Sequence, residues 1–323
     1  MGNVRILTIS RDDAGMRVDR WFKQRFPGLG HARLQKLLRT GQVRVDGGRV
    51  KPGFRLEQGQ KVRVPPLGVS AAKPERTAPS FSKADAKELK ARILHRDKDV
   101  LVIDKPAGLA VQGGAKIHRN LDAMLDALRF DAPDKPRLVH RLDKDTSGVL
   151  VLARNPHAAR KLTAAFRSQK ARKLYWAVVA GVPSPAEGTV DLPLAKSAAG
   201  GKEKVMAGGP GGKKAVTHFQ VIDKAGRKAA WVAFEPLTGR THQLRVHALA
   251  LETPILGDGK YGGRDAFLAG EDIAGKLHLH ARTIRIPHPS NGILEVSAPL
   301  PDHMRKTFKA LGFNTRLEKW FFT

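Results

Sequence analysis

Between Leu138 and Asn155 the chain reads LVHRLDKDTSGVLVLARN, residues 138–155. Its apolar ends, Leu138-Val139 and Val149-Leu150-Val151-Leu152, have the composition of a buried strand. The middle carries a histidine, an arginine and two aspartates, closed by Thr146-Ser147-Gly148. Charge taken out of water is costly unless it is paired. The segment therefore predicts a loop seated on a buried strand, with Arg141, Asp143 and Asp145 on the loop.

The segments around it predict the rest of a sheet. LVLARN runs into PHAARKLTAAF, where Asn155 can cap a helix and Pro156 can open it. KLYWAVVAG at 173–181 alternates, placing Tyr175, Ala177 and Val179 on one face and Leu174, Trp176 and Val178 on the other. ILHRDKDVLVIDKPAG at 93–108 reads as strands broken by a turn at Asp97-Lys98-Asp99. VTHFQVI, AAWVAFEP, LHLHARTIRI and ILEVSAP read as further strands, with Asn291-Gly292 marking a hairpin turn. A last helix, DHMRKTFKALG, packs Met304, Phe308 and Leu311 and stops at Gly312. Strands outnumber helices too far for a regular βαβ repeat, so the fold class is α+β, a sheet with flanking helices.

Length and charge bound the function. At 323 residues there is room for two domains. Lys and Arg number 58 against 30 Asp and Glu, a net charge of +28 spread along the chain. Such a field attracts a polyanion, and nucleic acid is the expected partner. No run of about 18 apolar residues is present to span a bilayer. The start, MGNVRILTISRDDAG, has neither a signal-peptide apolar core nor an acid-poor transit pattern, so a soluble cytoplasmic protein is expected. With no cysteine there is no disulfide, thiolate nucleophile or Cys-ligated zinc.

A first domain is expected over residues 12–66. In MRVDRWFKQRF, Val18, Trp21, Phe22 and Phe26 take helical spacing between basic residues. HARLQKLLRTG buries Leu34, Leu37 and Leu38, QVRVDGGRV is a hairpin around Asp46-Gly47, and QKVRVPP is a last strand. Residues 11–65 hold 14 Lys and Arg against 5 Asp and Glu. This small α/β unit resembles the S4 RNA-binding domain. The resemblance implies that Arg33, Lys36 and Arg39 contact RNA. Residues 67–90, rich in Pro, Ala, Ser and Lys, read as a flexible linker, and the second domain is expected over 91–313. Within it, KSAAGGKEKVMAGGPGGKK at 196–214 fails the phosphate-loop spacing, with Lys214 where Ser or Thr is needed, and reads as a surface loop.

Three places hold polar residues where packing or a turn is expected: HRLDKDTSG at 140–148, Tyr175 within its strand, and LTGRTHQLRVH at 237–247. In the last, Gly239 permits a tight turn and Thr241 can cap the helix carrying Leu244, His247 and Ala248. Arg240 then stands just before a helix N-terminus and can meet a carboxylate or a phosphate. HRLDKD is not the kinase H-R-D, because Leu142 intervenes and no D-F-G follows. A glycosidase needs a second cooperating carboxylate, and Asp145 reads instead as a turn residue. His278 and His280 lack a third zinc ligand and read as structural.

In order and spacing, HRLDKDTSG, DKPAGLAV, RKLYWAVVAG, TGRTHQLRVHALALETPILGDGKYGG, LHLHA and SAPLP resemble the RluA-type pseudouridine synthases. With the N-terminal unit they are similar to the large-subunit ribosomal RNA pseudouridine synthase C (RluC) subgroup. The resemblance implies a mixed, mostly antiparallel sheet and the isomerisation of uridine to pseudouridine in large-subunit ribosomal RNA, with transfer RNA or a non-catalytic assembly factor as alternatives. No atom is gained or lost in that reaction, so no cofactor and no metal are implied, and a monomer is expected. The resemblance makes Asp143 the carboxylate at the sugar-base junction, acting by a covalent or a glycal-type route. It makes Arg141 the residue that fills the RNA stack behind a flipped uridine. It makes Arg240 the partner of Asp143 and Tyr175 the active-site tyrosine, with Lys105 a phosphate or structural contact.

Overall fold

A computed structural model describes residues 3–67, 82–113, 119–197, 204–209 and 211–315. The chain divides into two units, Met1–Ala78 and Pro79–Thr323.

The first unit contains β1 (Arg5–Thr8), α1 (Val18–Arg25), α2 (His31–Arg39), β2 (Arg44–Val45), β3 (Gly48–Arg49) and β4 (Lys61–Val64). Val18, Trp21 and Phe22 of α1 and Leu34, Leu37 and Leu38 of α2 face one core, as their spacing requires. Asp46 and Gly47 both take positive φ, 47° and 78°, the geometry of a primed hairpin turn. The sheet order is β1-β4-β2-β3. β1 pairs with β4, and Ile9 is buried, so this unit begins at β1 and not at residue 12. The short alternation of RILT gave too little periodicity to read as a strand. Arg33, Lys36 and Arg39 lie exposed on the side of α2 away from the core.

The second unit opens earlier than residue 91. Lys83–Ala91 is helix α3, started by a capping box in which Ser82 accepts from the Asp85 N–H and Asp85 accepts from the Ser82 N–H. The linker expectation for 67–90 fails there, because Ser, Lys, Asp and Ala are also good helix-start residues; 68–81 lie outside the described residues. Then follow β5 (Ile93–Arg96), β6 (Val100–Lys105), α4 (Leu121–Met124), β7 (Arg137–Leu138), β8 (Ser147–Ala153), α5 (Pro156–Arg167), β9 (Arg172–Ala180) and β10 (Glu187–Asp191). The chain continues through β11 (Leu194–Ser197), β12 (Lys204–Ala207), β13 (Val216–Ala225), β14 (Ala229–Pro236), α6 (Gln243–Ala250), β15 (Leu279–Pro287), β16 (Ile293–Ser297) and α7 (Asp302–Ala310). Asn155 caps α5 by accepting from the Ala158 N–H at 2.8 Å, with Pro156 at its first turn.

The large sheet runs β10-β13-β14-β9-β15-β8-β6-β5, with β16 beside β15 and β7 beside β8. Every pairing is antiparallel except β8 with β15, where Ser147 and Gly148 lie beside His280 and Ala281. Gly148 has φ +108°, and a Cβ there would fall on the Ala281 carbonyl, so only glycine lets the two strands meet. The alternation in β9 sends Trp176 and Val178 to a core with Trp231 and with Met304 and Phe308 of α7. Ala177 and Val179 go to the other face, against Leu244 and Ala248 of α6. No helix among the described residues is long and apolar enough to cross a membrane.

The surface-loop reading of 196–214 is corrected in part. Leu194–Ser197 and Lys204–Ala207 pair as an antiparallel hairpin, and Leu194 and Val205 are buried with Val246 and Tyr261. Two apolar residues in a Gly- and Lys-rich run are too few to register as a strand pattern; 198–203 and 210 lie outside the described residues.

Two outcomes follow from these packings. Gly148→Ala is expected to cost about 2–4 kcal/mol, through positive φ and overlap with β15, measured by urea unfolding. His278 and His280 are fully buried and His140 partly so, and all three are held neutral, with pKa values pushed down to about 3 for His140, about 4 for His278 and about 3 for His280, chiefly by desolvation. Below pH 6.5 the unfolded chain binds protons that the folded one refuses, so stability falls with pH from about 6.5 towards 4. The slope is about 1.4 kcal/mol per pH unit for each histidine, and it should lose one such increment in His280→Asn.

Candidate active site

The loop between β7 and β8 is built from the first residue up. His140 Nε2 accepts from the Val151 N–H at 2.8 Å, and its ring stacks on Phe166 at 4.3 Å. Leu142 is buried in the core below, which leaves Arg141 and Asp143 on the opposite side of the loop. A turn closed by Thr146 N–H to Asp143 O at 3.2 Å leads into β8. Asp143 is half-buried; Arg141 is exposed at the rim, with no side-chain partner among the described residues. Asp145 is exposed as well, and its carboxylate makes no hydrogen bond among the described residues, so the turn is held by backbone instead.

Sheet register brings the tyrosine to this loop. Gly148 lies beside Ala281 of β15, and Ala281 lies beside Tyr175 of β9. Tyr175 packs at the seam between two core clusters on one face of the sheet. Burial, reinforced by the Asp143 charge, raises the pKa of its phenol well above the usual range, so it stays protonated. A cavity of about 450 Å³ is lined by Arg141, Asp143, Tyr175, Arg240, His242 and Arg245, among others. All the lining residues come from the second unit.

Lys105 does not reach this cavity. Its ammonium is fully buried and gives all three hydrogens to backbone carbonyls, of Pro106, Leu109 and Lys144, at 2.8, 2.9 and 3.0 Å. The RNA-contact reading of Lys105 is therefore corrected: it ties the 106–109 loop to the Asp143 loop. Burial pushes its pKa down to about 7, against the pull of Asp145 and Asp143.

Arg240 lines the cavity but does not pair with Asp143. Its Nε donates to the Lys214 carbonyl at 3.0 Å, and its own N–H goes to Gln243 Oε1 at 3.0 Å. The expected Thr241 cap is also corrected. The residue before α6 is His242, in the left-handed region at φ 56°, with no side-chain cap. Thus the helix starts one residue later than the spacing suggested, and its first turn is held by Gln243, which also bonds Thr238 at 2.8 Å.

The arginine whose charge couples to Asp143 is Arg245, which lines the same cavity. It is buried and forms a two-pronged pair with Asp258, at 2.7 and 2.5 Å, and its guanidinium lies 5.0 Å over the Tyr261 ring. Burial opposes its charge, but the Asp258 hydrogen bonds, helped by Asp143, more than offset this and raise its pKa. His242 is the other neighbour, with Nε2 4.0 Å from Asp143 Oδ2. Lys173, two residues before Tyr175 on the same face of β9, also lines the cavity, its pKa pushed down to about 8 by burial despite the Glu235 charge. Sequence reading passed over Lys173 although the strand period carried it; Arg245 and His242 gave no such sign, because their places follow from how α6 packs.

The chain's likeness to known proteins follows this geometry. The family described as RNA pseudouridylate synthase matches residues 99–250, which span the Asp143 loop, Tyr175 and all of α6. "Ribosomal large subunit pseudouridine synthase C" of Vibrio cholerae is 38% identical over 306 residues, covering 94% of this chain and 95% of that protein. The protein of the same name from Escherichia coli O157:H7 is 35% identical over 314 residues, covering 96% and 97%. Among solved structures, Human RNA Pseudouridylate Synthase Domain Containing 4 superposes with a TM-score of 0.60 at 32% identity, over 71% of this chain and 96% of that one. Likeness over nearly the whole chain, with the carboxylate loop and the tyrosine strand inside the matched segment, makes this protein a member of the RNA pseudouridylate synthase family, an isomerase of uridine in RNA.

Proposed function

We propose that the protein isomerises particular uridines of large-subunit (23S) ribosomal RNA to pseudouridine, with Asp143 as the catalytic carboxylate. One observation carries the reading: a half-buried aspartate and a neutral tyrosine face one cavity whose rim holds an arginine that has no side-chain partner among the described residues. A cavity of about 450 Å³ is in the range of small-ligand sites, and a flipped nucleotide fits that class. The substrate is taken from the names of the relatives that this chain matches end to end.

In the reaction the bond from ribose C1′ to uracil N1 breaks, the base turns, and C1′ bonds to C5; the C5 proton leaves and N1 gains one. Asp143 is placed to meet the positive charge that develops at C1′, by covalent attack or by electrostatic support. Arg245, whose buried guanidinium couples electrostatically to Asp143, is the cation that supports the carboxylate, a role the resemblance gave to Arg240. The Tyr175 ring offers a stacking face for uracil, and its retained hydroxyl proton makes it a hydrogen-bond donor there. Arg141 fills the stack left by the flipped base. No step of the reaction as written calls for a cofactor or a metal, and we take the protein as a monomer that acts in the cytoplasm.

The N-terminal unit adds affinity, not chemistry. Its exposed row of Arg33, Lys36 and Arg39 on α2 suits a phosphate track. Two measurements test these roles. Asp143→Asn should bind a large-subunit ribosomal RNA transcript normally and form no pseudouridine; activity near that of the parent protein would overturn the assignment. Replacing Arg33, Lys36 and Arg39 together by alanine should reduce the slope of log K against log salt by about 2–3 and leave the single-turnover rate at saturation unchanged. An unchanged slope would remove α2 from the RNA contact.

A further inference from the structure

We propose that His242 is a positioning residue for Asp143, held as the Nε2–H tautomer by Tyr261 and the inserted hairpin. The proposal rests on the reading of Asp143 as the reacting carboxylate.

The chain of contacts is specific. The Val205 N–H of β12 points at the Tyr261 hydroxyl oxygen, 3.3 Å away. That oxygen lies 2.8 Å from His242 Nδ1. Burial raises the Tyr261 pKa, so the hydroxyl keeps its proton. Nε2 faces a carboxylate, which can only accept, so the arrangement that pairs both ring nitrogens has the Tyr261 hydroxyl accept from Val205 and donate its hydrogen to Nδ1. Nδ1 is then the acceptor, and the single proton of a neutral imidazole sits on Nε2. Nε2 is the atom that faces Asp143 Oδ2 at 4.0 Å.

The charges around the ring favour the neutral form. Burial lowers the His242 pKa, and Arg245 and Lys260 push the same way, against Asp143 and Asp258. A neutral N–H donor orients a carboxylate and leaves it a full negative charge for the sugar, whereas an imidazolium would neutralise much of it. The 4.0 Å gap is longer than a hydrogen bond, as catalytic contacts often are before substrate closes the site.

The backbone at this point is costly to maintain. His242 is not glycine and holds φ 56° at the entry to α6, fixed by Arg240 and Gln243 on one side and by Val246 N–H to His242 O at 3.0 Å on the other. That conformation aims the ring at Asp143 and Tyr261 together. The hairpin β11–β12, read from sequence as a bare loop, thereby contributes a backbone donor to the third link of a chain ending at the reacting carboxylate. Lys204 beside Val205 lies 5.3 Å over the Tyr261 ring, so the link is made at a basic surface.

The experiment measures single-turnover pseudouridine formation and RNA Kd on one large-subunit ribosomal RNA transcript for Asp143→Asn, His242→Ala, His242→Gln and Tyr261→Phe in the full chain. His242→Ala should slow turnover by about 10–100-fold with Kd changed by less than about twofold. His242→Gln, which keeps an N–H donor near the Nε2 position, should recover most of the loss. Tyr261→Phe should slow turnover by about 3–10-fold, since Nδ1 loses its donor and the tautomer is released. Parental turnover in His242→Ala, a failure of Gln to rescue, or a rate loss matched by loss of RNA binding would overturn the proposal. If Asp143→Asn is inactive while His242→Ala is fully active, only the role of His242 fails; activity in Asp143→Asn would overturn the Asp143 reading itself.

Discussion

The site depends on one close approach of two backbones. β8 and β15 run parallel in a sheet whose other pairings are antiparallel, and they touch where Gly148 meets Ala281. A side chain on Gly148 would hold the strands apart. Because they meet, the loop that ends at Ser147 is carried to the centre of the sheet, next to β9. Asp143 and Tyr175, distant in sequence, become neighbours through two register steps. The same junction is secured by the buried hydrogen bond of Ser147 with His280 Nδ1, at 2.9 Å.

Around this junction, buried polar groups do work that apolar packing cannot. Lys105 binds three carbonyls across two loops, and His140 receives a β8 amide. Each would be expensive to bury without its partners, and every partner is a backbone atom: Lys105 joins the 106–109 loop to Lys144 beside Asp143, and His140 joins the start of that loop to β8. The Asp143 loop is thus hydrogen-bonded from beneath, while Arg141 and Asp143 line the cavity on its other side. Arg245 follows a similar logic: Asp258 fixes its plane, which lets a buried guanidinium stand near Asp143 without collapsing onto it.

The charge of the chain is arranged in two ways. In the first unit it is displayed, with Arg33, Lys36 and Arg39 exposed on one helix face. Around the cavity it is partly withdrawn from water, where Lys173 and Arg245 act at short range and are little screened by salt. The proposed function thus gives the long-range attraction of RNA and the local support of Asp143 to different residues.

Local signals were legible in the sequence by itself. The alternation of 173–181 placed Tyr175 on the right face, Asn155 and Pro156 set the start of α5, and Asp46-Gly47 fixed a hairpin, because each depends on residues only a few positions apart. The ordered motifs also carried the family and the loop that bears Asp143. Tertiary structure alone decided which cation couples to Asp143, that Lys105 points inward, and that a Gly-rich run contains a hairpin. Those outcomes turn on how α6 rotates against the sheet and on which carbonyls lie unpaired beneath a loop. Such facts are set by contacts between residues far apart in the chain, and no spacing along it records them.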